Sequence, residues 1–430
     1  MPLPTQPYKG TRDFYPEDKR LQKYLFNTIR KVVESYGYEE YDAPIIEPLE
    51  LYLAKSGSEL VNEQTYTFED RGGRKVAIRP EMTPSVSRMV AARRQELVYP
   101  LRWYSIPNLW RYERPQRGRL REHWQLNVDI FGDSSLRAEH ELILLINRIL
   151  SSFGAKESDF GIRLNSRQLI RHILNEFLAL TDVQAQDLMR LIDHKARIEE
   201  GNFNLELKRI IEDNQKYEKL TNILRVSDLK ELPAELKNHS STVELEKLFS
   251  LLDKSGVKNV SFDITLMRGL DYYTDIVFEV FDKDPENNRA MFGGGRYNGL
   301  VGLFGVEALP TAGFGMGDVT LSDFLKSHSL IPDLTSELDI YAIIIGDVYE
   351  RSLPLINELR ATGINIAIES TEAKIDKKIK NAVKKNVKYV VFIGENEVKN
   401  KTFKLKDIST GKEEDLMLKQ IIEKFNPNTK

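Results

Sequence analysis

Residues 109–132 read LWRYERPQRGRLREHWQLNVDIFG. The stretch joins two extended apolar runs, LRWYSIPNLWRYE (101–113) and EHWQLNVDIFG (122–132), through a basic loop. Two strands linked this way predict an antiparallel hairpin. Positions 111–121 hold five arginines and one acid, Glu113, in a chain whose formal net charge is -3. An arginine fork grips phosphate at two points and stays charged. The loop therefore suits a polyphosphate or the end of a nucleic acid, although the run alone suits a solvated basic turn equally well. In WQLNVDIF (124–131), period-two alternation sends Gln125, Asn127 and Asp129 to one face. Trp124, Leu126, Val128 and Ile130 take the other. One face is core; the other presents two amides and a carboxylate beside the cationic loop.

Working outward, 430 residues predict two or three domains, and 41% apolar with 30% charged residues is a globular composition. The chain has no cysteine, which excludes disulfides, thiolate zinc sites and Cys nucleophiles and fits a reducing compartment. The N-terminus MPLPTQPYKGTRDFYPED lacks an apolar h-region, so a signal peptide is not expected. No run approaches the length needed to span a membrane, so a cytoplasmic protein with no membrane partner is expected. Near-balanced charge means that any polyanion must be met by local patches.

The spacing predicts a helix over 18–36 and two strands around the turn DRGGR (70–74). A further helix is expected over 84–96, and helices over 138–153 and most of 166–252. Strands return at 259–267 and 273–282; GGGRYNGLVGLFG (293–305) reads as turn-rich, and ALPTAGFGMGDVTLSDFL (308–325) as a strand entering a helix. Antiparallel strands interrupted by helices predict an α+β core with an inserted helical module. From DIYAIIIG (339–346) onward, strands and helices alternate, which predicts a small α/β domain with a mostly parallel sheet. The expected division is 1–165 with 256–330, then 166–255, then 335–430.

Three further clusters carry chemistry. MRGLDYYT (267–274) places Arg268, Asp271, Tyr272 and Tyr273 between apolar strands, with Gly269 allowing close approach to an anion; an Arg–Asp structural pair with core tyrosines is the alternative. IRPEMTP (78–84) puts Arg79, Glu81 and Thr83 on one side if extended, or forms a helix entry capped by Thr83. GGGRYNGL (293–300) and GFGMGD (313–318) lack the context of nucleotide fingerprints but let backbone come close to a ligand.

Together these segments resemble the histidyl-tRNA synthetase family of class II aminoacyl-tRNA synthetases. YGYEEYDAPIIEP (36–48) is similar to motif 1, residues 109–132 to motif 2, and ALPTAGFGMGDVTL (308–321) stands in the place of motif 3. RGLDYY (268–273) closely matches the histidine-specific signature, GGGRYNGL a second family segment, and KGTRDFYPED (9–18) and IRPEMT (78–83) fit as well. The resemblance implies a class II catalytic core on an antiparallel sheet, a helical insertion and a C-terminal α/β anticodon-binding domain. It implies a homodimer that activates L-histidine with ATP and Mg2+ and charges tRNA(His).

Residue by residue, the resemblance implies Arg111 on the α-phosphate and Arg268 bridging the substrate carboxylate to that phosphate. Arg119 would lie near the outer phosphates and His123 against adenine. Glu81 and Thr83 would hold the substrate amino group, with Gln125 nearby. Asp129 and Tyr273 would meet the imidazole nitrogens, with Tyr272 and Tyr297 completing the pocket. Gln116 would meet the tRNA acceptor end. No protein metal ligands are implied; Mg2+ would come with the phosphates. The helical block would clamp the acceptor arm, and the lysines of AKIDKKIKNAVKKNVK (373–388) would contact RNA phosphates or form a solvated face. Three positions depart from the pattern: Thr320 replaces the usual motif 3 arginine, His123 an aromatic carbocycle, and Asp129 a glutamate. The alternative is an inactive paralogue, the regulatory subunit of ATP phosphoribosyltransferase.

Overall fold

The structure is a computed structural model that describes residues 2–53, 63–195, 198–267, 272–287 and 289–425. It divides into two compact units, Met1–Asp13 with Gln22–Ile331, and Phe14–Leu21 with Pro332–Lys430.

The first unit carries β1 (Glu39–Glu40), β2 (Ile46–Pro48), β3 (Thr67–Glu69), β4 (Lys75–Ile78), β5 (Leu101–Ser105), β6 (Asn108–Trp110), β7 (Glu122–Phe131), β8 (Phe160–Ser166), β9 (Val260–Phe262), β10 (Ile276–Asp282), β11 (Ala290–Arg296) and β12 (Thr311–Gly317). Among the described residues, nine strands form one sheet in the order β1-β5-β7-β12-β11-β10-β8-β9, with β6 paired to β7. All its pairings are antiparallel except β1 with β5 and β8 with β9. β2, β4 and β3 form a small separate sheet.

The expected hairpin is the centre of this arrangement. β6 and β7 pair from Asn108 opposite Trp124 to Trp110 opposite Glu122, and the arginine loop spans the gap. The helix Arg137–Ser152 packs on β12. It buries Leu142, Leu145, Ile146 and Ile149, the helical spacing that turns one stripe inward. Each such side chain contributes roughly 1.5–3 kcal/mol relative to exposure. The helix Asp318–Ser327 packs on β7.

Gly293, Gly294 and Gly295, read from sequence as turn, lie inside β11. A Cβ on Gly294 would sit 2.6 Å from Phe314 Cβ and 2.7 Å from Phe278 Cζ; one on Gly295 would sit 2.9 Å from Tyr273 Cδ1. The glycines are there because neighbouring strands and rings occupy the space a side chain would need.

Arg296, next in β11, is buried and grips Glu139 with two nitrogens at 2.5 and 2.7 Å. Nη1 donates to the carbonyl of Asp133 at 2.9 Å, and Nη2, already on Glu139, also donates to that of Ser135 at 3.0 Å. Four of the fork's five N–H groups are engaged and Glu139 is fully buried, so this ion pair locks sheet to helix. Removing one partner alone leaves a buried charge and costs about 3–5 kcal/mol. Glu139→Ala should therefore lower stability by about that amount, read from the midpoint of urea unfolding.

Residues 167–254 are helical in the main, with long members at Asp182–Asp193, Glu200–Ile210 and Ser240–Lys254. Local chemistry starts them: Thr181 and Gln184 form a reciprocal capping box, and Asp213 accepts from the N–H groups of Gln215 and Lys216.

The second unit contains β13 (Ile340–Ile344), β14 (Ile366–Glu369), β15 (Tyr389–Ile393), β16 (Thr402–Asp407) and β17 (Glu413–Met417) in the order β14-β13-β15-β16-β17. The first three are parallel, as expected, and the last two are added antiparallel. The alternation of Phe403 and Leu405 inward with lysines outward is the signal that marks β16. On the lysine-rich helix Ile375–Lys384, Lys378 turns inward and donates to the Ile344 carbonyl at 2.9 Å. That residue is a structural anchor and leaves the solvent face to its neighbours. No described helix in either unit is long and apolar enough to cross a membrane.

Candidate active site

The polar face of β7 and the arginine hairpin open onto one cavity of about 410 Å³. Its wall takes in Gln125, Asn127 and Asp129 from β7, Arg111 and Arg119 from the hairpin, and His123 between the two sets. Glu81 and Thr83 enter at the start of the helix Thr83–Ala92. Tyr272, Tyr273 and Tyr297 close another side. Residues far apart in sequence thus meet because the sheet places β7 beside β12, and β12 beside β11.

Alternation along β7 puts the row Gln125–Asn127–Asp129 in the cavity, and the facing strand makes room for it. Gly313 lies opposite Asp129 and Gly315 opposite Asn127. A Cβ on Gly313 would land on Asp129 Oδ1, and one on Gly315 on Gln125 Nε2. The GFGMG segment therefore frees space for polar side chains of its neighbour.

Asp129 is the electrostatic centre. The Tyr297 hydroxyl donates to its Oδ1. Its Oδ2 is buried and takes no hydrogen bond among the described residues. Burial pushes the carboxyl up to about 7, with the Tyr297 hydrogen bond pulling the other way. A buried acceptor lacking a donor is costly, so this atom asks for a donor from a ligand. Tyr272, Tyr273 and Tyr297 meet ring to ring at 4.8–6.4 Å around it. Gln125 Nε2 donates to Asn127 Oδ1 at 2.5 Å, which fixes the amide row.

At the other end, Arg111 Nε donates to the Pro80 carbonyl at 2.9 Å. Burial above all, then the charges of Arg111 and Arg12, depress His123 to about 3. The ring is therefore neutral at physiological pH. Arg119 lies 3.8 Å from Glu113, which also lines the cavity. Thr320 is on the wall, and a Cβ on Gly118 would come 3.5 Å from its Cγ2. The hairpin tip turns at Gly118 (φ +76°), where Gln116 and Arg119 exchange backbone hydrogen bonds of 3.0 and 2.9 Å.

Gln116 sits at that tip, exposed and off the cavity wall. Arg268 lies outside the described residues, as does Asp271. Thr83 is the first helical residue and not the cap; Met82 holds that position without a side-chain bond. Arg79 leaves the ligand side altogether: it is buried, donating to the carbonyls of Asn108 and Ala43 and to Asp42. Glu279, also on the wall, was missed; it is an acid in the middle of the apolar strand IVFEVFD (276–282), a signal of its own. Among the described residues no three carboxylate or imidazole groups converge as a metal cage.

Comparison with known proteins meets this site from another direction. A family model described as "Histidyl-tRNA synthetase" matches residues 10–319, and one described as "Anticodon binding domain" matches 340–428. A histidine–tRNA ligase of Leptospira biflexa is 43% identical over 413 residues, covering 95% of this chain and 94% of the relative. One of Thermoplasma volcanium is 37% identical over 419 residues, covering 96% of each. The crystal structure of histidyl-tRNA synthetase from Nostoc sp. PCC 7120 superimposes with a TM-score of 0.84 over 99% of this chain and 100% of that one; at 24% identity this speaks for the fold alone. With a match of this extent lying across the cavity, its polar row and its arginine hairpin, the chain belongs to the histidyl-tRNA synthetase family.

Proposed function

We propose that this chain is a histidine–tRNA ligase, which joins L-histidine to the 3′ end of tRNA(His) in two steps. A histidine carboxylate oxygen attacks the α-phosphorus of ATP, and pyrophosphate leaves with the bonding electrons. The tRNA terminal hydroxyl then takes the histidyl group and AMP departs. The observation that carries the reading is the placing of a buried carboxylate with a vacant acceptor and an arginine hairpin on one cavity.

Neither step needs a covalent enzyme intermediate, so catalysis rests on positioning and charge neutralisation. Arg111 and Arg268 take the α-phosphate, Arg268 also reaching the substrate carboxylate, and Arg119 the outer phosphates. His123 faces adenine. Glu81, Thr83 and Gln125 receive the amino and carboxylate end. Gln116 at the hairpin tip meets the acceptor end of tRNA. Glu113 and Glu279 on the cavity wall are the carboxylates that would hold Mg2+ through its oxygen coordination, and the ion would supply charge neutralisation of the triphosphate.

A neutral imidazole carries one ring donor and one ring acceptor. Asp129 Oδ2 accepts from the first, and Tyr273, with Tyr272 and Tyr297 alongside, closes on the second. A site that hydrogen-bonds both nitrogens rejects analogues by roughly 10⁴–10⁵ without an editing step. The helical residues 166–255 then serve as a clamp on the acceptor arm, and 335–430 as the anticodon-binding domain, matching the second family model.

The enzyme works as a homodimer in the cytoplasm. Exposed Ile45, Ile46, Leu53 and Phe68, on and beside the small sheet, support the dimer as a shared apolar face. The absence of cysteine supports a reducing compartment.

The test is amino-acid-dependent ATP–pyrophosphate exchange across the twenty standard amino acids. Histidine alone should support exchange. None with folded protein would move the reading to the regulatory paralogue, and exchange with another amino acid would overturn the specificity. The pH dependence is a second check. Burial holds the Asp129 carboxyl at about 7, and with Oδ1 taken by the Tyr297 hydroxyl a ring N–H donor requires the ionised form. The KM for histidine should therefore fall as pH rises from 6 to 8, by up to about tenfold per unit below 7. A flat or opposite profile would mean that imidazolium is bound.

A further inference from the structure

We infer that the segment Tyr8–Arg12 and Arg121 form a latch at the root of the arginine hairpin, with Arg121, Tyr8 and Gly10 as positioning residues for ATP. The inference rests on the proposed reaction.

Of the hairpin's five arginines, Arg121 alone is buried, and it is not on the cavity wall. Its guanidinium lies 4.0 Å from the centre of the Tyr112 ring and 5.4 Å from that of Tyr8. One nitrogen donates to the Tyr8 hydroxyl at 2.8 Å, and Nε donates to the Glu113 carbonyl at 3.2 Å. A single side chain thus joins both limbs of the hairpin to the N-terminal segment. Backbone bonds complete the joint: the Gly10 carbonyl accepts from the N–H of Arg121 at 2.8 Å and of Glu122 at 3.3 Å. Gly10 has φ +86°, and a Cβ there would lie 2.8 Å from Arg121 Cγ and 3.0 Å from Pro115 Cγ. Glycine is required at this position both by conformation and by space.

Two residues on, Arg12 donates to Asp318 Oδ2 at 2.8 Å, while Asp318 Oδ1 accepts from the N–H of Trp124 at 2.9 Å. The segment therefore ties the hairpin's return strand to the helix that begins at Asp318. Such a tie has physical cause. Cations crowded on one short loop repel one another, and toward the tip the limbs are joined only by the Gln116–Arg119 turn and the 3.8 Å approach of Arg119 to Glu113 among the described residues. Without an external hold the loop would spread, and Arg111 and Arg119 would lose the spacing that a triphosphate needs. The ring contacts to Tyr112 and Tyr8 and the Gly10 bonds supply that hold, with one guanidinium off the cavity wall.

The test uses the full chain with Arg121→Lys, Tyr8→Phe and Gly10→Ala, singly and with Gly10→Ala and Arg121→Lys combined. Lysine keeps the charge but cannot make the fork. Arg121→Lys should raise the KM for ATP in the exchange reaction about tenfold, the loss expected for one charge-assisted hydrogen bond, with kcat and the KM for histidine held. Gly10→Ala should do the same, Tyr8→Phe less, and the double variant no more than the worse single, because both break one latch. Trypsin cleavage after the exposed Arg117 should quicken in each variant without any substrate present, which reads the latch even if the reaction proposed above is wrong. Unchanged cleavage in folded variants would overturn the latch. A fall in kcat at constant KM would assign Arg121 to the reacting phosphates instead, and additive losses would make the two residues independent.

Discussion

Gly313→Ala should raise the KM for histidine on the order of 10²-fold while the protein stays folded, because a displacement near 1 Å at the site suffices for that loss. The argument is steric. Gly313 in β12 pairs with Asp129 in β7, and an added methyl would occupy the place of Asp129 Oδ1 and stand 2.6 Å from the Val128 carbonyl. Neither neighbour is the free end of a long side chain. Asp129 is held by Tyr297 on one oxygen, and the Val128 carbonyl belongs to a central strand. The carboxylate must swing away or the strands must part, and overpacking of this kind costs about 1–3 kcal/mol of stability. In either case the vacant acceptor leaves its place. The control is Gly299→Ala, where an added Cβ has no heavy atom within 4 Å and the backbone is unstrained. That variant should match the wild type in exchange kinetics. A Gly313→Ala protein with normal histidine KM would detach Asp129 from substrate recognition.

The same pair of strands marks what a single sequence discloses. Alternation in 124–131 carried enough information to place Gln125, Asn127 and Asp129 on one face, because side-chain direction in a strand is local. The hairpin and the α/β tail were legible for the same reason: periodicity and turn chemistry act over a few residues. The glycines of β11 and β12 were not, since what excludes their side chains lies on other strands, at Phe278, Tyr273 and Asp129. Arg79 and Glu81 stand two apart in one loop, yet one is sealed by backbone carbonyls and the other lines the cavity. Arg121 was indistinguishable from Arg111 and Arg119 by composition; only Tyr8 and Gly10, more than a hundred residues upstream, give it a different task. Lys378 looked like its neighbours until the Ile344 carbonyl claimed it. Departures from the local reading thus fall where a distant group sets the residue's surroundings.

Arg111→Ala should lower the exchange kcat by roughly 10²–10³-fold, the usual loss when one preorganised donor is removed from a developing charge. Arg111 is preorganised at both ends. Its backbone N–H donates to the Arg121 carbonyl at 2.8 Å, and its Nε is spent on the Pro80 carbonyl at 2.9 Å. The guanidinium therefore meets the cavity in one orientation, and no reorganisation is needed when charge builds on the α-phosphate. Because that charge is largest in the transition state, the loss should fall on kcat and leave the KM for histidine within a few fold. Arg111→Lys should recover little, since an ammonium carries its donors on one nitrogen and lacks the planar fork that sets Nε on the Pro80 carbonyl and Nη toward the phosphate. His123 supplies a readout that needs no turnover. Its imidazole is depressed to about 3 chiefly by burial and next by the Arg111 charge. Removing that charge should raise the His123 pKa part of the way toward its ordinary value, since burial persists, and an NMR titration would follow it. A variant that keeps its kcat, or that loses histidine affinity instead, would take Arg111 off the α-phosphate. A pKa at His123 that does not move would mean that the guanidinium lies farther from the ring than the structure has it.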